Sequence, residues 1–147
     1  MRIVLDTNVL VSALIAKEGP PGLLLAAVRR GDFTLVSSSY QIEELREVLG
    51  RDRLKPYIQP EEASDLLYNL GSIGVVVTEL PDVDISPDPK DAPILATGIA
   101  GQADLIVSGD KKDMLALGHI EDIPIVTPRE AVRRLPQHQN KNNGSEG

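Results

Sequence analysis

Apolar residues fall in short runs of three or four, separated by longer stretches with helical spacing. That alternation predicts repeated βαβ units and a parallel sheet. Arg2 to Leu5 is the first strand, and Asn8 to Ala16 a helix that Gly19-Pro20-Pro21-Gly22 breaks. Leu23 to Arg30 is a second helix, and Gly31-Asp32 turns the chain into a strand over Phe33 to Val36. Ser37 to Ser39 offers N-caps for a third helix reaching about Leu49. Pro60-Glu61-Glu62 opens a fourth, with proline and acids in its first turn. Val75 to Thr78 is a β-branched strand, and Pro81 to Lys90 is a Pro- and Asp-rich loop. A helix follows over Asp91 to Gly101, then a strand over Leu105 to Val107 and a short helix over Asp113 to Leu117. Ile123 to Val126 is the last strand, before a helix opened by Pro128.

After Pro136 the composition turns to Gln, Asn, Gly and Ser, which predicts one domain over 1–135 and a disordered tail over 136–147. No apolar run approaches the ~20 residues that span a bilayer. The chain opens directly on a strand, without the pattern of a signal peptide, so no membrane and a cytoplasmic location are the expectation.

Composition narrows the chemistry. The chain has no cysteine and 2 histidines, His119 and His138. Thiolate sites and multi-histidine zinc sites are therefore excluded, and a metal would sit on oxygen ligands, which favours Mg²⁺ or Mn²⁺. The net charge of −7 has the wrong sign for phosphate binding. With 1 Phe, 3 Tyr and 0 Trp, the composition argues against an aromatic stacking platform of the single-strand-binder kind.

Most of the 22 acids must be solvated, and position singles out a few. Asp6 stands between Ile3-Val4-Leu5 and Val9-Leu10-Val11, at the C-terminal end of a strand, where open parallel sheets bind ligands. Asp110 follows Leu105-Ile106-Val107 and Ser108-Gly109 in the same way. Helix capping explains either acid equally well. Asp91 falls on the helical stripe of Ile94, Leu95 and Gly98, so it points back towards the sheet edge, while Asp88-Pro89 already supplies a cap and a first-turn proline. In the third helix Ile42, Leu45, Val48 and Leu49 mark the buried face. Glu44 lies at the edge of that face, and Glu43 and Glu47 lie further towards solvent.

Four clustered carboxylates repel one another. At about 4 Å and an effective dielectric of about 20, one pair costs about 4 kcal/mol, a large share of a domain's ~5–15 kcal/mol. Bound cations reverse that sign, and two of them can clamp the attacking and leaving oxygens of a phosphodiester.

These segments resemble PIN domains. Ile3-Val4-Leu5-Asp6-Thr7-Asn8-Val9-Leu10 resembles the family's opening strand and helix, and Ser37 through Glu44-Leu45-Arg46-Glu47-Val48-Leu49 its second acidic segment. Asp88-Pro89-Lys90-Asp91-Ala92-Pro93-Ile94-Leu95-Ala96 resembles the third, Ala103-Asp104-Leu105-Ile106-Val107-Ser108-Gly109-Asp110 the fourth, and Ile125-Val126-Thr127-Pro128 the closing strand. The resemblance is closest to the bacterial and archaeal toxin components of toxin–antitoxin systems, the VapC-like group. It implies a three-layer α/β/α fold with a parallel central sheet of about five strands. It also implies Mg²⁺- or Mn²⁺-dependent endoribonuclease activity on RNA, a small antitoxin protein as partner and a homo-oligomer. The metal-binding, catalytic acids carry over to Asp6, Glu44, Asp91 and Asp110, with Asn8 and Ser108 as supporting polar positions. The spacing to Asp113 varies across the family, so a metal role does not carry over to it. Gly98 stands where such helices often carry alanine, at a cost of roughly 1 kcal/mol of helix propensity that close packing would offset.

Lys111 and Lys112, beside Asp110, are candidates for phosphate contact, whereas Arg51, Arg53 and Lys55 read as a surface cluster. Two alternatives remain. A phosphatase of the haloacid-dehalogenase kind also starts with an acid after an apolar strand, but it wants Asp-x-Asp, and here the third position is Asn8. A non-catalytic RNA- or partner-binding module would keep the fold and the acids without the reaction.

Overall fold

A computed structural model of the chain describes residues 1–83, 89–109 and 112–136. The expected tail begins at its edge, and residues 137–147 lie outside it. The strands are β1 (Arg2–Leu5), β2 (Thr34–Ser38), β3 (Val75–Val77), β4 (Leu105–Val107), β5 (His119–Ile120) and β6 (Ile123–Val126). The helices are α1 (Thr7–Ile15), α2 (Pro20–Arg29), α3 (Ser39–Leu49), α4 (Pro60–Ser72), α5 (Ala92–Ala100), α6 (Lys112–Leu117) and α7 (Pro128–Arg134).

The sheet runs β3-β2-β1-β4-β6-β5, with every pair parallel except β5 and β6. Its central strand is β1, in register with β2 and β4 through Ile3↔Leu35 and Ile3↔Leu105. Ile3, Val4 and Leu5 are all fully buried, because helices cover both faces. The two-residue period then divides them: Ile3 and Leu5 join a core with α1, α2, α3, α4 and α7, and Val4 joins a second core with α5 and α6. The result is the expected three-layer α/β/α arrangement. Arg2 and Asp104 lock the other end of β1 to the turn before β4. The Arg2 N–H donates to Asp104 Oδ2 at 2.7 Å, and the Asp104 N–H donates to the Arg2 carbonyl at 2.7 Å.

The expected parallel sheet of about five strands is formed by β3, β2, β1, β4 and β6. A sixth described strand, His119–Ile120, folds back antiparallel on β6. Two residues are too short to show alternation in a sequence. The second helix begins at Pro20, not Leu23: both prolines occupy its first turn, where a missing N–H costs nothing. Gly98 behaves as close packing requires, since a Cβ there would stand 2.6 Å from Ile106 Cδ1. Among the described residues, no single helix is long and apolar enough to cross a membrane.

Candidate active site

The chain leaves β1 for β2 on one side and returns to β4 on the other, so the sheet's switch point lies between β1 and β4. Ligands of open α/β sheets bind outside the strand C-termini at that point. Asp6 ends β1 there. Its N–H donates to the Val107 carbonyl of β4 at 2.9 Å, and its own carbonyl accepts from Val9 and Leu10 in the first turn of α1.

Asp6 occupies the N-cap position of α1, yet its side chain makes no capping hydrogen bond. Asp91 ends a 3₁₀ turn (Pro89–Asp91), occupies the N-cap position of α5 and likewise makes none. These acids are only 6% and 4% exposed. Burying a carboxylate is costly, and helix capping does not account for the placement of either one.

One cleft of about 210 Å³ joins them. Asp6, Glu44 and Asp91 line it with Thr7 and Asn8, the cations Arg51 and Lys90, and the apolar side chains of Val48 and Ile94. Glu44 is the α3 acid that reaches inward, and the Thr7 hydroxyl donates to its Oε1 at 2.6 Å. Glu43 and Glu47 are 73% and 74% exposed and pair with Arg46 and Arg51. Ser108 is fully buried behind β4, and its N–H donates to the Val126 carbonyl at 3.0 Å. It does not line the cleft. Asp110 and Lys111 lie outside the described residues, while Lys112 and Asp113 are exposed on α6.

Among the described residues, no three of His, Cys, Asp and Glu are grouped as ligands of one ion, although three acids share the cleft. Two carboxyls are held below the ordinary range, Glu62 chiefly by a hydrogen bond from Lys17 and Glu130 chiefly by one from Arg134. Neither lines the cleft.

The structure corrects the reading of Arg51, which lines the cleft beside Glu44 rather than standing apart from it. Lys90 and Thr7 are lining residues that the sequence reading passed over. Thr7 had a signal, since it stands between Asp6 and Asn8, but it reads there as a helix cap. Lys90 looks like any polar loop residue until the 3₁₀ turn places it.

An acidic cleft at the switch point of a three-layer α/β sheet defines the class of this protein. Residues 2–112 match the PIN domain model, and the chain belongs to the PIN-domain family. An uncharacterized protein of Methanocaldococcus jannaschii is 25% identical over 143 residues, 92% of this chain and 92% of that protein. The crystal structure of VapBC2 from Rickettsia felis bound to a DNA fragment from their promoter matches with a TM-score of 0.58 and 17% identity. The match covers 86% of this chain and 98% of that one, and it shows a shared fold.

Proposed function

We propose that this chain is a divalent-metal-dependent endoribonuclease and the toxin of a toxin–antitoxin pair. The observation that carries the reading is the placing of two buried aspartates, Asp6 and Asp91, with Glu44 in one cleft at the sheet's switch point. Membership of the PIN-domain family supports it. The VapBC2 likeness supports a small antitoxin protein as partner, and a homo-oligomer is part of the same proposal.

The lining fits a hard cation. Its donors are carboxylate oxygens without thiol or imidazole, the set that Mg²⁺ and Mn²⁺ prefer. Asp6, Glu44 and Asp91 would hold it, with Asp110 as the fourth acid. When bound, such an ion supplies positive charge and Lewis acidity to a phosphodiester.

The chain's own side chains do the rest. Thr7 fixes the Glu44 carboxylate through its hydroxyl. Arg51 and Lys90 meet the phosphates of an RNA strand and offset the acids that would otherwise repel it. The Arg51–Glu47 pair, at 3.1 Å and exposed, is weak enough to open for a phosphate. Val48 and Ile94 supply the apolar part of the cleft wall.

The test is cleavage of a single-stranded RNA with Mg²⁺ or Mn²⁺. Cleavage should stop with chelator and return with excess metal. Cleavage indifferent to chelator, or none under any metal, defeats the reading. Thr7→Val should lower Mn²⁺ affinity about ten-fold or more, as loss of an outer hydrogen bond to a metal ligand usually does, while Thr7→Ser stays close to the unmodified protein. Calorimetric titration reads both variants. Equal affinities for Thr7→Val and the parent would remove Thr7 from this role.

A further inference from the structure

Polar side chains are buried sparingly, because each must recover the hydrogen bonds it had in water. Every buried polar or charged side chain among the described residues lies on β1–α1, β2–α3, α5 with the 3₁₀ turn before it, or the segment after β4. Five of them, Ser37, Ser38, Gln41, Thr97 and Ser108, are at most 1% exposed and do not line the cleft, and of these Ser38, Gln41 and Thr97 are linked to one another.

These three form a continuous chain of hydrogen bonds. The Gln41 side-chain amide donates to the Leu5 carbonyl at 2.5 Å, and the Gln41 N–H donates to Ser38 Oγ at 3.2 Å. Thr97 Oγ1 lies 2.8 Å from Ser38 Oγ and 2.7 Å from the Pro93 carbonyl. A threonine hydroxyl has one proton. Thr97 therefore donates to Pro93, and Ser38 supplies the proton between the two hydroxyls. The chain thus runs from the last residue of β1, through the start of α3, to the first turn of α5. Leu5 immediately precedes Asp6, Gln41 is one turn before Glu44, and Pro93 is two residues after Asp91.

Capping α3 needs only the Ser38 oxygen and the Gln41 N–H. The links to Leu5 and Thr97 go beyond capping, and each ties together two elements that carry different acids. We propose that Ser38, Gln41 and Thr97 are positioning residues whose buried hydrogen bonds lock β1, α3 and α5 together and so set the spacing of the Asp6, Glu44 and Asp91 carboxylates. The functional meaning of that spacing rests on the metal-site reading, but the lock itself does not.

The experiment uses the full chain, with Thr97→Val as a near-isosteric loss of the hydroxyl, Thr97→Ser as the conservative variant and Val28→Ala as a core truncation outside the cleft. Calorimetric titration with Mn²⁺ should show affinity about ten-fold lower in Thr97→Val, near parental in Thr97→Ser and unchanged in Val28→Ala. Equal losses in Thr97→Val and Val28→Ala, or no loss in Thr97→Val, overturn the proposal. Should Thr97→Val fail to fold, Gln41→Met carries the same comparison. If the parent protein takes up no Mn²⁺, the metal reading fails, and amide exchange of the metal-free chain decides about the lock. Exchange about ten-fold faster in Thr97→Val at the first turns of α3 and α5, with α2 unchanged, supports it. Uniform exchange across α2, α3 and α5 overturns it.

Discussion

Asp6→Asn is expected to lower RNA cleavage by about a hundred-fold or more, because several kcal/mol of metal-derived stabilisation is lost and each 1.36 kcal/mol is worth a factor of ten. The substitution keeps the shape of the side chain and removes its charge. It leaves the backbone of residue 6 able to donate to Val107 and to accept from Val9 and Leu10, so the junction of β1 and α1 persists. The parent protein should also be stabilised by metal. At a free ion concentration of about 100 times Kd the gain is about 2.7 kcal/mol by mass action. Asp6→Asn should lose most of that gain while its circular dichroism stays parental. Thermal melts with Mn²⁺ and with chelator measure the stability, and single-turnover cleavage measures the rate. An Asp6→Asn protein that cleaves at the parental rate would leave the proposed chemistry without its central carboxylate.

The second large effect concerns stability. Gly22→Ala should destabilise the chain by about 3 kcal/mol, towards the upper end of what overpacking costs. A Cβ at Gly22 would stand 2.0 Å from the Lys17 carbonyl oxygen and 2.4 Å from its carbon. Both are backbone atoms, so no rotamer change relieves the clash and the turn between α1 and α2 must move. The roughly 1 kcal/mol by which alanine exceeds glycine in a helix does not offset this. Gly71→Ala in α4 provides the contrast. Nothing lies within 4 Å of its added Cβ, so the propensity gain should appear alone as a small stabilisation. Urea denaturation checks both, with the midpoint moving in opposite directions and the slope unchanged. A parental midpoint for Gly22→Ala would mean that the turn is looser than its geometry requires.

Gly22 also illustrates what sequence reading cannot reach. Gly-Pro-Pro-Gly is a sound signal that α1 stops, and α1 does stop at Ile15. The same residues start α2, since the first helical turn tolerates proline and the glycine gives room to the strand of backbone before it. Local propensity records what a residue permits, whereas which neighbour presses on it depends on the fold.

The division in the site follows the same line. The apolar runs before Asp6 and Asp110 determined β1 and β4, because a strand buried on both faces must be continuously apolar. Helical spacing singled out Glu44 over Glu43 and Glu47, because burial leaves a periodic trace in sequence. What tertiary structure alone decided is which side chains meet. Thr7 reaches Glu44 across 37 positions, Gln41 reaches Leu5 across 36, and Ser38 meets Thr97 across 59. A hydrogen bond between distant segments leaves no period and no spacing in either one. Strand order, the β5 hairpin and the place of Arg51 and Lys90 in the cleft belong to the same class, because each is set by packing two buried faces of one sheet at once.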